Sequence, residues 1–413
     1  MQYFIDKILS ENASIETARP ELLAIHKRAI NTVHESMVSI QQTTKPTATV
    51  YGARYFYNTE NGNEFEVIDG VSFGGVLTYT DVQSLDAYDE GTTYNSGQRF
   101  RLINRPIEVL VDGYQGTAVT DDEQARALIM DGIYNNQLRI VTDGASRTDY
   151  DDPNKDIQDV GFIFDRWNCE VRTRKFRLQH TLELLKEMQK DLDSDQIIRN
   201  LIAIAVAEEI NLDIINKINL IAKKSDTIDI SGNTDRFSSA NELLSDISTE
   251  GAIITRQTTY KPTFVIASSS VVGRLQTLNG VKSKKDDNGR TRYYIESSGI
   301  ELIIDRYALG DYYTIGAKDE QISIDDDGSE TTNMVAPLYF SPYNYDGTGM
   351  NSFATVTDPK SLQPVLVSTT RYGLCASPYS NTSDNDKGEV IDGEDWVNLA
   401  GSCELARSKR VIL

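Results

Sequence analysis

Residues able to do chemistry are sparse in this chain and do not converge. The three histidines are His26, His34 and His180. His26 and His34 stand eight positions apart, about two turns or ~12 Å along a helix, and none of the three has a second ligand at metal spacing. The string GVSFG at Gly70–Gly74 has the GxSxG pattern of a nucleophile elbow around Ser72. That elbow needs a strand before the serine and a helix after it, whereas VLTYTD follows here and reads as another strand, so a hairpin turn is expected. DDDG at Asp325–Gly328 resembles half of a calcium loop but lacks the alternating oxygen positions and the closing Glu, and reads as an exposed turn. No GxxxxGK[ST], GxGxxG or HExxH string occurs, which leaves phosphate-cradle, dinucleotide and zincin chemistry without a motif. Among 62 carboxylates no general acid and base can be singled out. Cys169, Cys375 and Cys403 lie far apart and are odd in number, against a disulfide framework or a four-ligand zinc site and in keeping with a reducing cytoplasm. No catalytic residue, cofactor site or metal site is therefore expected, and an enzyme is not.

The elements point to a protein that works by contacts. The segment organising the chain runs from Val171 to Lys224, with apolar residues at Leu178, Leu182, Leu185, Leu192, Ile197, Leu201, Ile204, Ile215 and Ile218 at largely helical steps and no Gly or Pro inside. Unbroken, about 45 residues at ~1.5 Å each make a rod on the order of 65 Å long. Asp193, Ser194 and Asp195 either end one helix and cap a second or ride on the solvent face of a single kinked one.

The flanks read mainly as strands and loops. Pro20 begins a helical run through Leu22, Ile25, Ala29, Ile30, Val33, Met37 and Ile40, and Thr43–Tyr57 is β-branched and aromatic. From about 58 to 160 the chain is rich in Gly, Asp, Asn, Thr and Tyr, punctuated by turn pairs such as Asn61-Gly62 and Asp112-Gly113, and reads as an extended β excursion without a core of its own. One short helix is expected there, at Asp121–Met130, capped by Asp121 or Asp122. Downstream, a helix is expected from about Ser239 and strands at Phe264–Ala267, Ile300–Asp305, Tyr312–Gly316 and Gln363–Leu374, then a polar tail with a basic end at Arg407, Lys409 and Arg410.

With 41 Lys plus Arg against 62 Asp plus Glu, the formal net charge is −21. So acidic a surface repels a nucleic-acid backbone and an anionic membrane face, and favours solubility. The first residues, MQYFIDKILSENAS, lack a charged n-region and an apolar h-region, and no apolar run approaches the length of a membrane span. A soluble protein made in a cytoplasm is expected. Against that acidity, Arg166, Arg172, Arg174, Lys175 and Arg177 form a basic cluster with two readings: a solvated strand face, or a docking surface for an acidic partner such as another copy. Lys282–Arg292 is a second basic island.

Several strings in order resemble the major capsid proteins of T-even-like bacteriophages. They are TRKFRLQHTLELLKEMQKDLDSDQIIRNLIAIAVAEEIN (Thr173–Asn211), FVIASSSVVGRL followed by IDRYALGDYYTIGAK, YFSPY (Tyr339–Tyr343), and DPKSLQPVLVSTTRYGLCASPY (Asp358–Tyr379). They cover about half the chain, from roughly 161 to 379. The resemblance implies an α+β, Hong Kong 97-type capsid fold divided into an N-terminal arm (1–54), an extended loop region (55–160), a peripheral domain with a long spine helix (161–224), an axial domain (225–340), and return strands of the peripheral domain with a C-terminal tail (341–413). It also implies a structural subunit assembling into hexamers, and pentamers besides, in an icosahedral virion shell around phage DNA. Scaffold, portal, maturation protease and decoration proteins are the implied partners, without sequence-specific DNA binding or a membrane. Family precursors are trimmed after a Leu/Ile-x-Glu triplet; Leu9-Ser10-Glu11 fits, as does Leu185-Lys186-Glu187 inside the helix. Alternatives are a vertex pentamer or encapsulating-compartment shell protein of the same fold, or a β-rich surface or carbohydrate-binding protein.

Overall fold

The structure is a computed structural model that describes residues 34–58, 64–66, 76–77, 79–144, 160–179, 194–232, 235–285, 291–324, 330–344, 351–359, 363–380 and 390–413. The chain forms two compact units, one of Tyr51–Arg166 with Ser383–Ile391, the other of Met1–Val50, Trp167–Thr382 and Asp392–Leu413. In chain order the described residues begin with a short helix, α1 (His34–Met37), and strands β1 (Ser39–Ile40), β2 (Thr47–Asn58) and β3 (Glu64–Glu66). The segment read as a coreless excursion then departs from expectation. After helix α2 (Tyr79–Ser84), strands β4 (Arg99–Leu102) and β5 (Arg105–Val109), helix α3 (Asp122–Tyr134) and strand β6 (Leu138–Ile140) close around a core of their own.

That core is Tyr94, Phe100, Ile107, Val109, Tyr114, Leu128, Ile129 and Leu138, with Tyr88, Leu102 and Ile140 packed against it. The rings of Tyr94 and Phe100 have centroids 4.8 Å apart and those of Tyr88 and Phe100 5.1 Å, within the contact range of aromatic pairs. Phe100 and Ile107 face each other across the β4–β5 ladder, and β5 pairs in turn with β6. Helix α3 starts where the capping signal placed it, because the Asp121 carboxylate accepts from the Gln124 amide at 2.8 Å.

The chain continues with β7 (Val160–Glu170) and β8 (Arg172–Gln179), followed by α4 (Ser194–Ile221), β9 (Ala222–Lys224) and β10 (Ile228–Asp229). The helical run expected from Leu178 is strand as far as Gln179, since β8 pairs antiparallel with β20 (Pro364–Ala376) from Val365↔Gln179 to Tyr372↔Arg172. Residues 180–193, including Asp193, lie outside the described residues, and Ser194 and Asp195 of the expected break open α4. Helix α4 buries Val206, Ile210, Ile214, Ile215, Ile218 and Ile221, a stripe at three- and four-residue steps, and packs on β18 (Leu338–Pro342), β20 and β22 (Cys403–Ile412).

Beyond it come α5 (Arg236–Thr258), β11 (Phe264–Ser268), α6 (Ser269–Leu275), β12 (Val281–Lys285), β13 (Thr291–Ile295), β14 (Ile300–Asp305) and β15 (Tyr312–Gly316). They build an eight-stranded sheet in the order β10-β22-β15-β11-β14-β13-β12, with β9 also on β22. Strand β11 is buried throughout, flanked by β14 in parallel and β15 antiparallel, and Ser268 at its end caps α6. Gly316 is required on β15, because a Cβ there would lie 2.3 Å from the Phe264 ring. Cys403–Ile412, expected as part of a tail, are instead β22, paired with β15 inside this sheet. Strands β16 (Asp319–Ile324) and β17 (Glu330–Val335) form a hairpin; β1, β18, β19 (Asn351–Thr357), β20 and β8 make a five-stranded sheet; and β21 (Val390–Asp392) joins the order β21-β7-β2-β3. This mixed helix-and-sheet architecture is the α+β class expected.

Candidate contact surfaces

The basic cluster is where sequence placed a docking surface, and the structure gives most of it internal partners. Arg174, on β8, donates to Asp213 Oδ2 at 2.6 Å and pairs with Glu209, both on α4, while its guanidinium lies 5.4 Å from the Tyr372 ring centroid. The Tyr372 hydroxyl donates to the same Asp213 carboxylate at 3.0 Å. Burial works against the Arg174 charge, but Tyr372, Asp213 and Glu209 outweigh it and hold its pKa above the ordinary arginine value. Arg172 reaches Glu394 at 2.9 Å and Arg177 reaches Asp358 at 3.5 Å. Arg174 is therefore a strut joining β8 to α4, whereas Arg172 and Arg177 are paired but largely exposed. Lys175 and Arg166 are exposed, with no ion pair among the described residues.

In the second basic island, Lys282 pairs with Glu296 at 2.5 Å, and Arg292 pairs with Glu301 at 3.1 Å and donates to Ser36 Oγ at 3.0 Å. Lys284 and Lys285 stay exposed on β12, the outer strand of its sheet, where lysines discourage strand addition.

Sequence reading missed a buried polar clamp. Arg407 on β22 donates to Glu250 Oε2 at 2.5 Å and to Ser225 Oγ at 3.0 Å; Lys409 reaches Asp246 at 2.8 Å and Glu250 at 3.3 Å. The Tyr313 hydroxyl donates to Asp246 at 2.6 Å. Burial pushes the Glu250 carboxyl up, but Arg407, Ser225 and Lys409 together bring it below the usual carboxylate range. Alternation along β22 was the available signal: Arg407 and Lys409 are two apart and share one face.

Of the residues weighed for chemistry, His26, His180, Gly70–Gly74, Asp325–Gly328 and both Leu-x-Glu triplets lie outside the described residues, and His34 begins α1. Among the described residues no three His, Cys, Asp or Glu are grouped to hold a metal, and no helix is long and apolar enough to cross a membrane. The three cysteines are buried free thiols. The Cys375 thiol donates to the Trp167 carbonyl at 3.7 Å and is pushed up by its contact with Cys169 and by burial; burial pushes Cys403 to about 11. Such thiols are poor nucleophiles at neutral pH.

Comparison with known proteins gives this contact-built chain its relatives. The capsid vertex protein of Enterobacteria phage T4 is 26% identical over 426 residues, covering 97% of this chain and 96% of that protein. The major capsid protein of Vibrio phage KVP40 is 25% identical, covering 88% of this chain and 76% of that protein. Among solved structures, the capsid of Myoviridae phage XM1 aligns over 96% of this chain and 97% of its own at 8% identity, with a TM-score of 0.43. Residues 15–411 match the family described as major capsid protein Gp23, and the chain belongs to that family of phage head-shell proteins.

Proposed function

We propose that the chain is a non-enzymatic building block of a phage head, copies of which join into hexamers, and pentamers besides, that tile an icosahedral shell around packaged DNA. The observation that carries this reading is the family match across nearly the whole chain. It sets aside the alternative of a carbohydrate-binding surface protein. A net charge of −21 suits an inner surface that duplex DNA slides over without sequence-specific binding. By family, scaffold, portal, maturation protease and decoration proteins are the partners to be met during assembly in the host cytoplasm. The proposed division keeps an arm (1–54), a loop region (55–160), a peripheral domain (161–224 with 341–413) and an axial domain (225–340). The α4–β8–β20 packing supports the peripheral part and the sheet around β11 the axial part, which β22 (Cys403–Ile412) joins from beyond the 225–340 bounds. The 79–144 segment makes the loop region a folded module and not a bare ribbon.

A second reading has a specific observation behind it: the vertex protein of phage T4 matches end to end, whereas the phage KVP40 major capsid protein extends beyond this chain. On that reading the chain forms pentamers at the vertices. Protein quantification in purified heads separates the two. A shell-forming role predicts that this chain dominates head protein by mass; a vertex role predicts a minor component; its absence from heads would refute both.

A further inference from the structure

Helix α3 has two apolar faces, and its core needs only one. Ala125, Leu128 and Ile129 are buried in the core of the 79–144 module. On the other side of the helix Met130 is 62% exposed, Ile133 37% and Tyr134 87%, at the i, i+3 and i+4 spacing that stacks side chains on one face. A surface helix carries polar residues there unless something covers it. Beside this face is a hollow lined by Ile103, Arg105, Arg126, Ile129, Met130 and Ile140.

Two further observations mark the face as a site. The β4–β5 turn is made by Ile103 and Asn104 at φ of 51° and 52°, a two-residue hairpin turn in which both central residues are left-handed. Asn-Gly suits such a turn, and a β-branched residue there is strained. The chain keeps the isoleucine, whose side chain packs against the module's core and also lines the hollow. The charges agree. Arg99 and Arg139 of this module bracket Glu108 at 2.9 and 3.2 Å, whereas Arg105 and Arg126 make no ion pair among the described residues. Two half-buried guanidinium groups at the edge of an apolar face call for carboxylates, and a chain of net charge −21 supplies them in abundance.

We infer that Met130, Ile133 and Tyr134, with Ile103 and the rim of Arg105 and Arg126, form a contact for a second copy of this chain, which seats an apolar segment edged by carboxylates. The inference rests on the shell-subunit reading and names one of its contacts. Tyrosine, methionine and arginine around a hollow are the residue types that anchor interface centres.

The test uses the full-length chain with a photo-crosslinking side chain, Tyr134→p-benzoylphenylalanine, irradiated after assembly. A covalent dimer of the chain, with the partner peptide apolar and acid-flanked, is expected; crosslinks only within one chain or only to a different protein, or none, overturn the inference. In parallel, the doubly substituted Met130→Ser/Tyr134→Ser chain is expected to keep the parent's unfolding temperature while its assembled fraction falls about tenfold. If the parent forms no assemblies, the shell reading itself fails. If both chains assemble alike, only this contact is overturned.

Discussion

At Gly132, in the last turn of α3, a Cβ would lie 2.4 Å from the Leu138 side chain, so the helix meets β6 only because that position carries no side chain. Alanine there gains ~1 kcal/mol of helix propensity but overpacks the module at a cost of ~1–3 kcal/mol. Gly132→Ala is predicted to lower the unfolding temperature, and Phe100→Ala, which empties the centre of the same core, to cost about 3–5 kcal/mol; denaturant titration measures both. Glu250 gives a pH dependence with a definite sign. Its carboxyl titrates below the ordinary range in the folded chain, so its contribution to stability is present above that range and lost as pH falls through the depressed value. Glu250→Gln should therefore destabilise the chain by ~3 kcal/mol near neutral pH and progressively less in acid, because Arg407 and Lys409 lose a buried charge partner. A stability difference that holds steady with pH would sink this account.

Among the elements, β8 shows what sequence conveys and what it withholds. Gly161–Leu178 reads as a strand and turn leading into the long helix, and β8 bears this out: Arg174 and Phe176 are half-buried while the residues beside them are exposed, a period of two. What decides for strand is eight residue pairs with β20, nearly two hundred positions away, which no local window contains. Where the signal is local, the reading holds: the Asp121 cap, the buried run at β11, and strands β14 and β15 at Ile300–Asp305 and Tyr312–Gly316 stand where expected. The core of the 79–144 module was not legible because its members, from Tyr94 to Leu138, are scattered singly among turn formers and meet only in three dimensions. The clamp at Arg407 and Lys409 was hidden in the same way, its acids lying on α5. The strut makes its own prediction. Arg174→Glu, which sets a carboxylate against Asp213 and Glu209, should lower stability by ~2 kcal/mol, while Lys175→Glu on the exposed side of the same strand should leave thermal unfolding unchanged.

For the whole molecule, the described residues hold two units, each with buried side chains of its own, and the most evident surface left to explain is the apolar end of α3. Membership in a head-shell family gives such a surface a context, since shell subunits are completed by their neighbours. Within the subunit, ion pairs tie β8 to α4 and β22 to α5, and the three free thiols lie buried. The central claim, that this chain acts by closing with copies of itself, is tested most directly by electron microscopy of the purified full-length chain, alone and with its scaffold. Closed rings or shells built of this chain are the predicted result, sixfold rings supporting the hexamer reading and fivefold rings the vertex reading. A chain that stays monomeric under both conditions would contradict it.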